Sequence, residues 1–389
     1  MSVHSVTPPT GQRFGIEHEV ALADQRGDLV AWTPASAAIL TRIIESLPDD
    51  PADHQVLYCG ASGRRVKRWY VEGVERLDAH GQVGAVVPKG IEIRTPPQAT
   101  IAATIREVDE SFALLRAVAA MEGLHPIWIS VHPTATAFVY DPPLNAYERA
   151  WHAADPDAAT AAFTMLTYGP DLNLSLADRS TAATVALGMK LTALSPFIIP
   201  FSFSAPLLAG ARWPGLSART YYRAGRRPAV RVYVPAADSQ WPMTAMIRPA
   251  RLPSEVGRIE FKACDSCADL AIYAGLLALL KGLAHDRTLL DSAAGADVSL
   301  HQRAARWGFD DPQIRHGAQM VLQAADTALA DDPDAALLSP LWAMLGQRMT
   351  PAHAMIARLN RHGSVGGALR PRYTLEAARS QPRSDSICD

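Results

Sequence analysis

The sequence predicts an α+β fold. Strand-like alternation dominates the first half of the chain, and helical spacing runs from Ala293 to Asn360. Four short segments, far apart in sequence, also share one pattern: an apolar face backed by a polar one. The first is Arg13–Leu22. Side chains alternate along a strand, so Ile16, His18 and Val20 point one way and Glu17 and Glu19 the other. In the second, Glu92 and Arg94 alternate with Ile91 and Ile93. In the third, Asp171, Asn173 and Ser175 alternate with Leu172, Leu174 and Leu176. In the fourth, Glu260 and Lys262 alternate with Ile259 and Phe261. Two carboxylates on one strand face repel unless positive charge sits over them. Set side by side in one sheet, the four polar faces make a carboxylate cluster suited to hard cations such as Mg²⁺, and so to handling phosphate.

In chain order, Gly11–Leu22 is the first strand. A Gly/Asp turn over Asp24–Asp28 follows, and Leu29–Trp32 is a hairpin partner. Pro34–Leu47 has helical spacing and stops at Pro48. Gln55–Tyr58 and Trp69–Val71 read as short strands flanking a basic run, Arg64, Arg65, Lys67 and Arg68, which is a solvated hairpin tip or a phosphate-contacting loop. Val83–Val87 and Gly90–Thr95 are strands ended by Pro96-Pro97. Thr100–Glu122 is an amphipathic helix with Ile101, Ile105, Val108, Phe112, Leu115 and Val118 near one face. Pro126–His132 reads as a buried strand, and its His132 as structural. Asn145–Leu166 is largely helical with a break at Asp155-Pro156, Tyr168–Ala177 is a strand, and Thr181–Leu194 is a helix. A Pro-broken apolar run precedes a loop, Gly210–Arg227, rich in Gly, Arg and aromatics. Arg231–Val234 and Gly257–Ala263 are strands. Asp265 or Ser266 is positioned to cap the apolar helix Ala268–His285.

With 389 residues, 48% hydrophobic and 20% charged, the chain has ample material for a core. A net charge of −2 gives no global basic field for nucleic acid or an anionic membrane, and neither is an expected partner. Four cysteines are too few for a disulfide framework; Cys264 and Cys267, a C-x-x-C without a second pair, read as packing. Met1–Gly11 carries no apolar signal core. The apolar run Leu191–Ala209 is interrupted by Pro196, Pro200 and Pro206 and carries three serines, which does not suit a lipid-facing span. The expected location is the cytoplasm. Homo-oligomerisation is left open.

The motifs resemble the glutamate–cysteine ligase superfamily, carboxylate–amine ligases with a glutamine-synthetase-like catalytic fold. Gly15-Ile16-Glu17-His18-Glu19 is similar to the family's opening Gly-φ-Glu-x-Glu strand, where φ is apolar. Glu92-Ile93-Arg94-Thr95-Pro96 is similar to its Glu-φ-x-Thr-Pro strand. Leu194-Ser195-Pro196-Phe197 and Gly215-Leu216-Ser217-Ala218-Arg219 resemble its Ser-Pro-Phe segment and Gly-φ-x-Ser-x-Arg substrate loop. Arg258 to Asp265 looks like its late φ-Glu-φ-Arg-x-x-Asp strand. The resemblance covers about Gly11 to His285. It implies a curved, mainly antiparallel sheet within a catalytic domain over 11–290. A helical extension of that domain then covers 291–362, and a flexible tail 363–389. Two departures bear on substrate: Lys262 stands where the family usually has Arg, and Asp171–Leu176 stands where many members carry a His- or Gln-containing strand.

The resemblance further implies ATP-dependent amide formation. A carboxylate attacks the γ-phosphorus, and the acyl phosphate then accepts an amine. The implied cofactors are ATP and two or three Mg²⁺ ions on Glu17, Glu19, Glu92 and Glu260. Arg94 and Arg219 would grip the acceptor carboxylate or the transferring phosphoryl group, and Lys262 the nucleotide phosphates or the substrate carboxylate. Asn173, Ser217 and Arg231 would bind substrate, an amino acid with an amine co-substrate. The Gly210–Arg227 loop would close over the site. Two other readings stand beside this one: a phosphagen-kinase-like phosphoryl transferase and a catalytically degenerate ligase-like binding protein.

Overall fold

The computed structural model describes residues 11–51, 53, 68–176, 179–236, 244–289 and 297–369. The chain opens with β1 (Arg13–Ala23), α1 (Pro34–Ser46), β2 (Trp69–Leu77), β3 (Val83–Arg94), α2 (Ile101–Met121) and β4 (His125–Ile127). Three short helices follow, α3 (Ala146–Ala154), α4 (Pro156–Ala159) and α5 (Ala161–Thr164), and then β5 (Pro170–Ser175) and α6 (Thr181–Ile198). Next come the small pair β6 (Leu207–Leu208) and β7 (Ala211–Arg212), α7 (Ala218–Arg223), β8 (Val230–Val234), β9 (Ile247–Pro249) and β10 (Arg258–Phe261). The rest is helical: α8 (Leu270–His285), α9 (Val298–Trp307), α10 (Pro312–Ala328), α11 (Ser339–Gln347), α12 (Pro351–His362) and α13 (Val365–Leu369).

The main sheet runs β2-β3-β1-β5-β10-β8-β9, with β4 also paired to β1; all pairings are antiparallel except β8 with β9. The four alternating segments are therefore neighbours, as expected. Their apolar faces bury Ile16, Val20, Ile91, Ile93, Leu172, Leu174, Val232, Ile259 and Phe261 against α2, α6 and α8. Burying one such side chain contributes roughly 1.5–3 kcal/mol. Every position of α8 from Ile272 to Ala284 is buried, and α10 packs on both α8 and α6. One apolar core thus runs from Phe14 to Ala352, joining the sheet to the C-terminal helices.

Several elements differ from the sequence expectation, each for a local reason. Trp69–Val71 is the start of a nine-residue strand, and Val83–Arg94 is one strand rather than two. Beyond Ile127 the buried 128–132 stretch leaves β1. It bonds instead to the 166–168 segment, Tyr168 N to Ser130 O at 3.0 Å and His132 N to Leu166 O at 2.7 Å. Helix α6 continues through Pro196. Proline there denies Thr192 O its helical N–H, and Ser195 Oγ donates to that carbonyl at 2.7 Å. The cap of α8 is Asp269, whose side chain accepts Ala271 N at 2.9 Å. Asp265 is instead buried and accepts Ser204 N at 3.0 Å. The stretch 181–202 is long and apolar enough to cross a membrane by composition, yet 56% of its most apolar window is buried inside this fold. The expected Gln55–Tyr58 strand, Arg64, Arg65 and Lys67, and 370–389 of the expected tail lie outside the described residues. Arg68 is no loop tip: it pairs with Asp53 at 3.1 Å and with Glu107. The first part of the expected tail forms α13, with Val365, Ala368 and Leu369 buried.

Candidate active site

The polar faces of the sheet floor a cavity of about 1140 Å³. The ladder register sets its rows. Glu17 on β1 is the ladder partner of Arg94 on β3 and of Asp171 on β5. Glu92 stands opposite Glu19, and Asn173, Glu260 and Arg231 form a row across β5, β10 and β8. Glu17, Glu19, Glu92 and Glu260 all line this one cavity, together with Arg94, Asn173, Arg219, Arg231 and Lys262.

The four glutamates do not form a single cluster. They divide into two triads, each completed by a carboxylate that was not among the expected ligands. Glu17, Asp171 and Glu260 bring ligand oxygens within 4.8 Å of one another, and Glu19, Glu72 and Glu92 do the same. In the first triad Lys262 Nζ contacts Asp171 and lies 3.1 Å from Glu260 Oε2, Tyr233 Oη donates to the same oxygen at 3.1 Å, and Arg258 donates to Glu17 Oε1 at 2.7 Å. Burial works to raise the Glu17 and Glu260 carboxyls, but Arg94, Arg258 and Lys262 around Glu17, and Lys262, Arg258 and Arg231 around Glu260, outweigh it and hold both below their ordinary value. Asp171 is pushed up to about 6, by burial first and by Glu260 and Glu17, against Lys262.

In the second triad, burial raises Glu72 and drives Glu92 well above the usual carboxylate range. Lys89 opposes this at Glu72, Arg94 opposes it at Glu92, and neighbouring glutamates reinforce it. Arg94 joins the triads, with Nε 3.0 Å from Glu92 and 3.4 Å from Glu17, while Nη2 donates to Tyr70 Oη at 2.8 Å. Lys89 donates to Glu19 Oε1 at 2.6 Å and to the carbonyls of Thr164 and Thr167 at 3.1 and 2.9 Å. By alternation Lys89 belongs on the apolar face. The register jumps there, with Glu72 opposite Gly90 and Gly73 opposite Pro88, so Lys89 is the extra residue of a bulge and turns toward the carboxylates.

An arginine wall stands beside the carboxylates. Arg227, Arg231 and Arg248 converge on Asp157 at the start of α4, with Arg227 at 3.3 Å and Arg248 at 2.6 Å. Arg219 is 6% exposed, and its guanidinium donates to the carbonyls of Lys262, Ala263 and Cys264 at 2.7–3.3 Å. It can pass there because residue 169 is glycine: a Cβ would sit 2.4 Å from Arg219 Nη2. Ser217 is fully buried, caps α7 by accepting Thr220 N at 3.0 Å, and is not among the residues lining the cavity. The expected closing loop is thus in part a packed helix, with Arg219, Thr220 and Arg223 buried. The described residues also add Glu72, Lys89, Asp157, Arg248 and Arg258, which the sequence reading did not place in the site. Two of these carried a legible signal: Tyr70 and Glu72 alternate with Trp69 and Val71, and Arg258 shares the parity of Glu260 and Lys262.

The donor set suits hard divalent cations: all-oxygen ligands, partly buried, with Glu72 and Glu92 crowded enough that their charged forms are disfavoured. Residues 13–245, more than half of the chain, match the family model for glutamate-cysteine ligase family 2. The chain belongs to that family.

The fold is similar to three solved ligase structures. The first is a bifunctional glutathione synthetase from Pasteurella multocida (TM-score 0.54, 13% identity, 92% of this chain and 51% of that one). The second is the ligase PafA in complex with the prokaryotic ubiquitin-like protein Pup (0.51, 12%, 90% and 68%). The third is the Francisella tularensis glutamate–cysteine ligase in complex with AMP (0.50, 10%, 96% and 90%). The chain thus spans about half the length of the Pasteurella protein. At these identities the likeness is one of fold. No curated protein sequence matches the chain.

Proposed function

We propose that this family member is a cytoplasmic, ATP- and Mg²⁺-dependent ligase that joins an amino-acid carboxylate to a small amine through an acyl phosphate. The observation that carries this reading is the convergence of six carboxylates from five strands on one cavity, beside a wall of arginines. An anionic nucleophile must approach a polyanion. At ~4 Å and an effective dielectric near 20, two unit charges repel by about 4 kcal/mol. Divalent ions held by Glu17, Glu19, Glu92 and Glu260, with Glu72 and Asp171, would screen that repulsion and align the phosphoryl group.

The chain's own residues supply the rest. Arg94, poised between the triads, and Lys262 stabilise charge on the transferring phosphoryl group. Arg231 receives the acid's carboxylate. Asn173, whose Oδ1 is buried with no partner among the described residues, takes a donor from the substrate. Arg219 acts by fixing the Lys262–Cys264 backbone, a positioning role rather than contact with the reacting atoms. The carboxylate oxygen bonds to the γ-phosphorus as ADP leaves. The amine nitrogen then bonds to the acyl carbon as phosphate leaves, and the amine gives up a proton.

The test is a phosphate-release screen over pairs of amino acids and amines, with products read by mass. Phosphate that appears only when ATP, acid and amine are all present supports the ligase. A phosphorylated product formed without amine would make the protein a phosphoryl transferase, and ATP binding without turnover would make it a binding protein. Glu17→Gln and Glu260→Gln are each expected to abolish ADP formation in a folded protein. Wild-type turnover in both would sink the assignment.

A further inference from the structure

The two carboxylate triads are not equivalent in how their charge is met. In the triad of Glu17, Asp171 and Glu260, the Lys262 ammonium touches Asp171 and lies 3.1 Å from Glu260, and Arg258 donates to Glu17 at 2.7 Å. Both cations bond directly to triad oxygens, and Arg94 stands 3.4 Å from Glu17 as well. The backbone of Lys262 is fixed on two sides: its N–H donates to Ala229 O at 2.8 Å, and its carbonyl accepts Arg219 at 3.3 Å. The side chain therefore reaches into the triad from a rigid base. A lysine ammonium is a compact point charge with three donors, suited to sit among carboxylates as an ion would, whereas an arginine fork would lie flat against one of them.

The triad of Glu19, Glu72 and Glu92 is different. Lys89 bonds to Glu19 but shares its donors with two backbone carbonyls, and it stays 3.8 Å from Glu72. Among the described residues Arg94 is the cation that reaches Glu92, at 3.0 Å. Of the described residues, then, the first triad holds an ammonium within about 3 Å of two of its carboxylates, and the second has no cation placed in that way.

We infer that Lys262 serves as the resident cation of the Glu17–Asp171–Glu260 triad, so that this chain takes up a divalent ion at the Glu19–Glu72–Glu92 triad and not at both. The inference rests on the proposed reading of the triads as cation sites and narrows it. A divalent ion in the first triad would have to displace an ammonium already bonded to two of its three carboxylates.

Mn²⁺ titration of the full chain, with free Mn²⁺ followed by electron paramagnetic resonance, tests this without any activity readout. The wild type is expected to hold one ion at these triads, with affinity lowered at least tenfold by Glu72→Gln and changed less than threefold by Asp171→Asn. Lys262→Met, with Lys262→Gln as a second variant should the first not fold, is expected to gain one further ion. Adding Asp171→Asn should remove it. A wild type that holds two ions and loses one on Asp171→Asn overturns the inference while leaving the ligase reading intact, as does an unchanged count in both Lys262 variants. Absence of bound Mn²⁺ from every protein overturns the inference and the cation-site reading together. Phosphate release in the amino-acid and amine screen then decides the ligase reading independently.

Discussion

Replacing Glu72 by glutamine should make the protein more stable without divalent ions and less able to gain stability from them. The ligand oxygens of Glu72, Glu19 and Glu92 lie within 4.8 Å of one another. At that separation and an effective dielectric near 20, each ionised pair costs about 3 kcal/mol. Lys89, 3.8 Å from Glu72, offsets about 4 kcal/mol by the same arithmetic. Where Glu19 and Glu92 are both ionised, neutralising Glu72 therefore relieves a net of about 2 kcal/mol, in addition to the cost of burying its charged form. The sign with pH follows from the direction of the shift. The folded-state pKa of Glu72 is raised from 4.5, so its contribution to stability is present below that value and is lost as pH rises through the folded pKa. The advantage of the variant should grow from pH 4.5 toward neutrality. Magnesium narrows the difference: a ligand at a hundred times its Kd stabilises the wild type by about 2.7 kcal/mol, and tenfold weaker binding forfeits about 1.4 kcal/mol of that, which on the pairwise charge terms leaves the variant ahead by less than about 1 kcal/mol. Urea denaturation of wild type and Glu72→Gln, each with chelator and with saturating Mg²⁺, measures all four states. A variant that is less stable than wild type in chelator, and that gains as much from Mg²⁺, would refute the reasoning.

Two further perturbations probe the frame around the site. Glu148 is held down to about 2, first by its bonds with Arg76, and it also accepts the N–H groups of Leu77 and Asn145 at 3.0 and 2.8 Å. Its stabilisation is present above 4.5 and fades as pH falls toward 2, so Glu148→Gln should cost about 3 kcal/mol in urea denaturation at pH 7 and little near pH 2; a loss below about 1 kcal/mol at pH 7 would count against it. Gly169→Ala would place a methyl 2.4 Å from Arg219 Nη2 and 2.9 Å from Cys264 O, at a cost of about 1–3 kcal/mol. In an Arg219→Ala background the cost should shrink, and an equal cost in both backgrounds would show that the guanidinium is not what forbids a side chain there.

That the four segments share one sheet could be read from residue type, because each repeats an apolar–polar alternation and only one face of each could be buried; their order in the sheet could not. The carboxylates of Glu17, Glu19, Glu92 and Glu260 were legible for the same reason, and all four line one cavity. Their division into triads was not, since it depends on which acids meet across strands. Glu72 was missed because Gly73 and the bulge cut the alternation of β2 short, and Lys89 because parity along β3 assigns it to the wrong face. Asp157 lies outside any strand, and its convergence with Arg227, Arg231 and Arg248 joins segments 70–91 residues apart. The burial of Ser217 as a helix cap also escaped a motif-based reading, because a serine that caps a helix and one that meets a substrate look alike in sequence.

His18 sits between the two glutamates of β1 and faces the other way. Its ring lies 4.2 Å from Trp128 and 2.9 Å from the Tyr273 hydroxyl, and burial depresses its pKa to about 3. A slip of β1 by one residue would turn Glu17 and Glu19 into the apolar core, one of them into the place of His18 beside Trp128 and Tyr273, and turn Ile16 and Val20 toward the cavity. Mispairing is thus penalised on both faces at once, and the residues that equip the cavity also enforce correct assembly of the sheet that carries them.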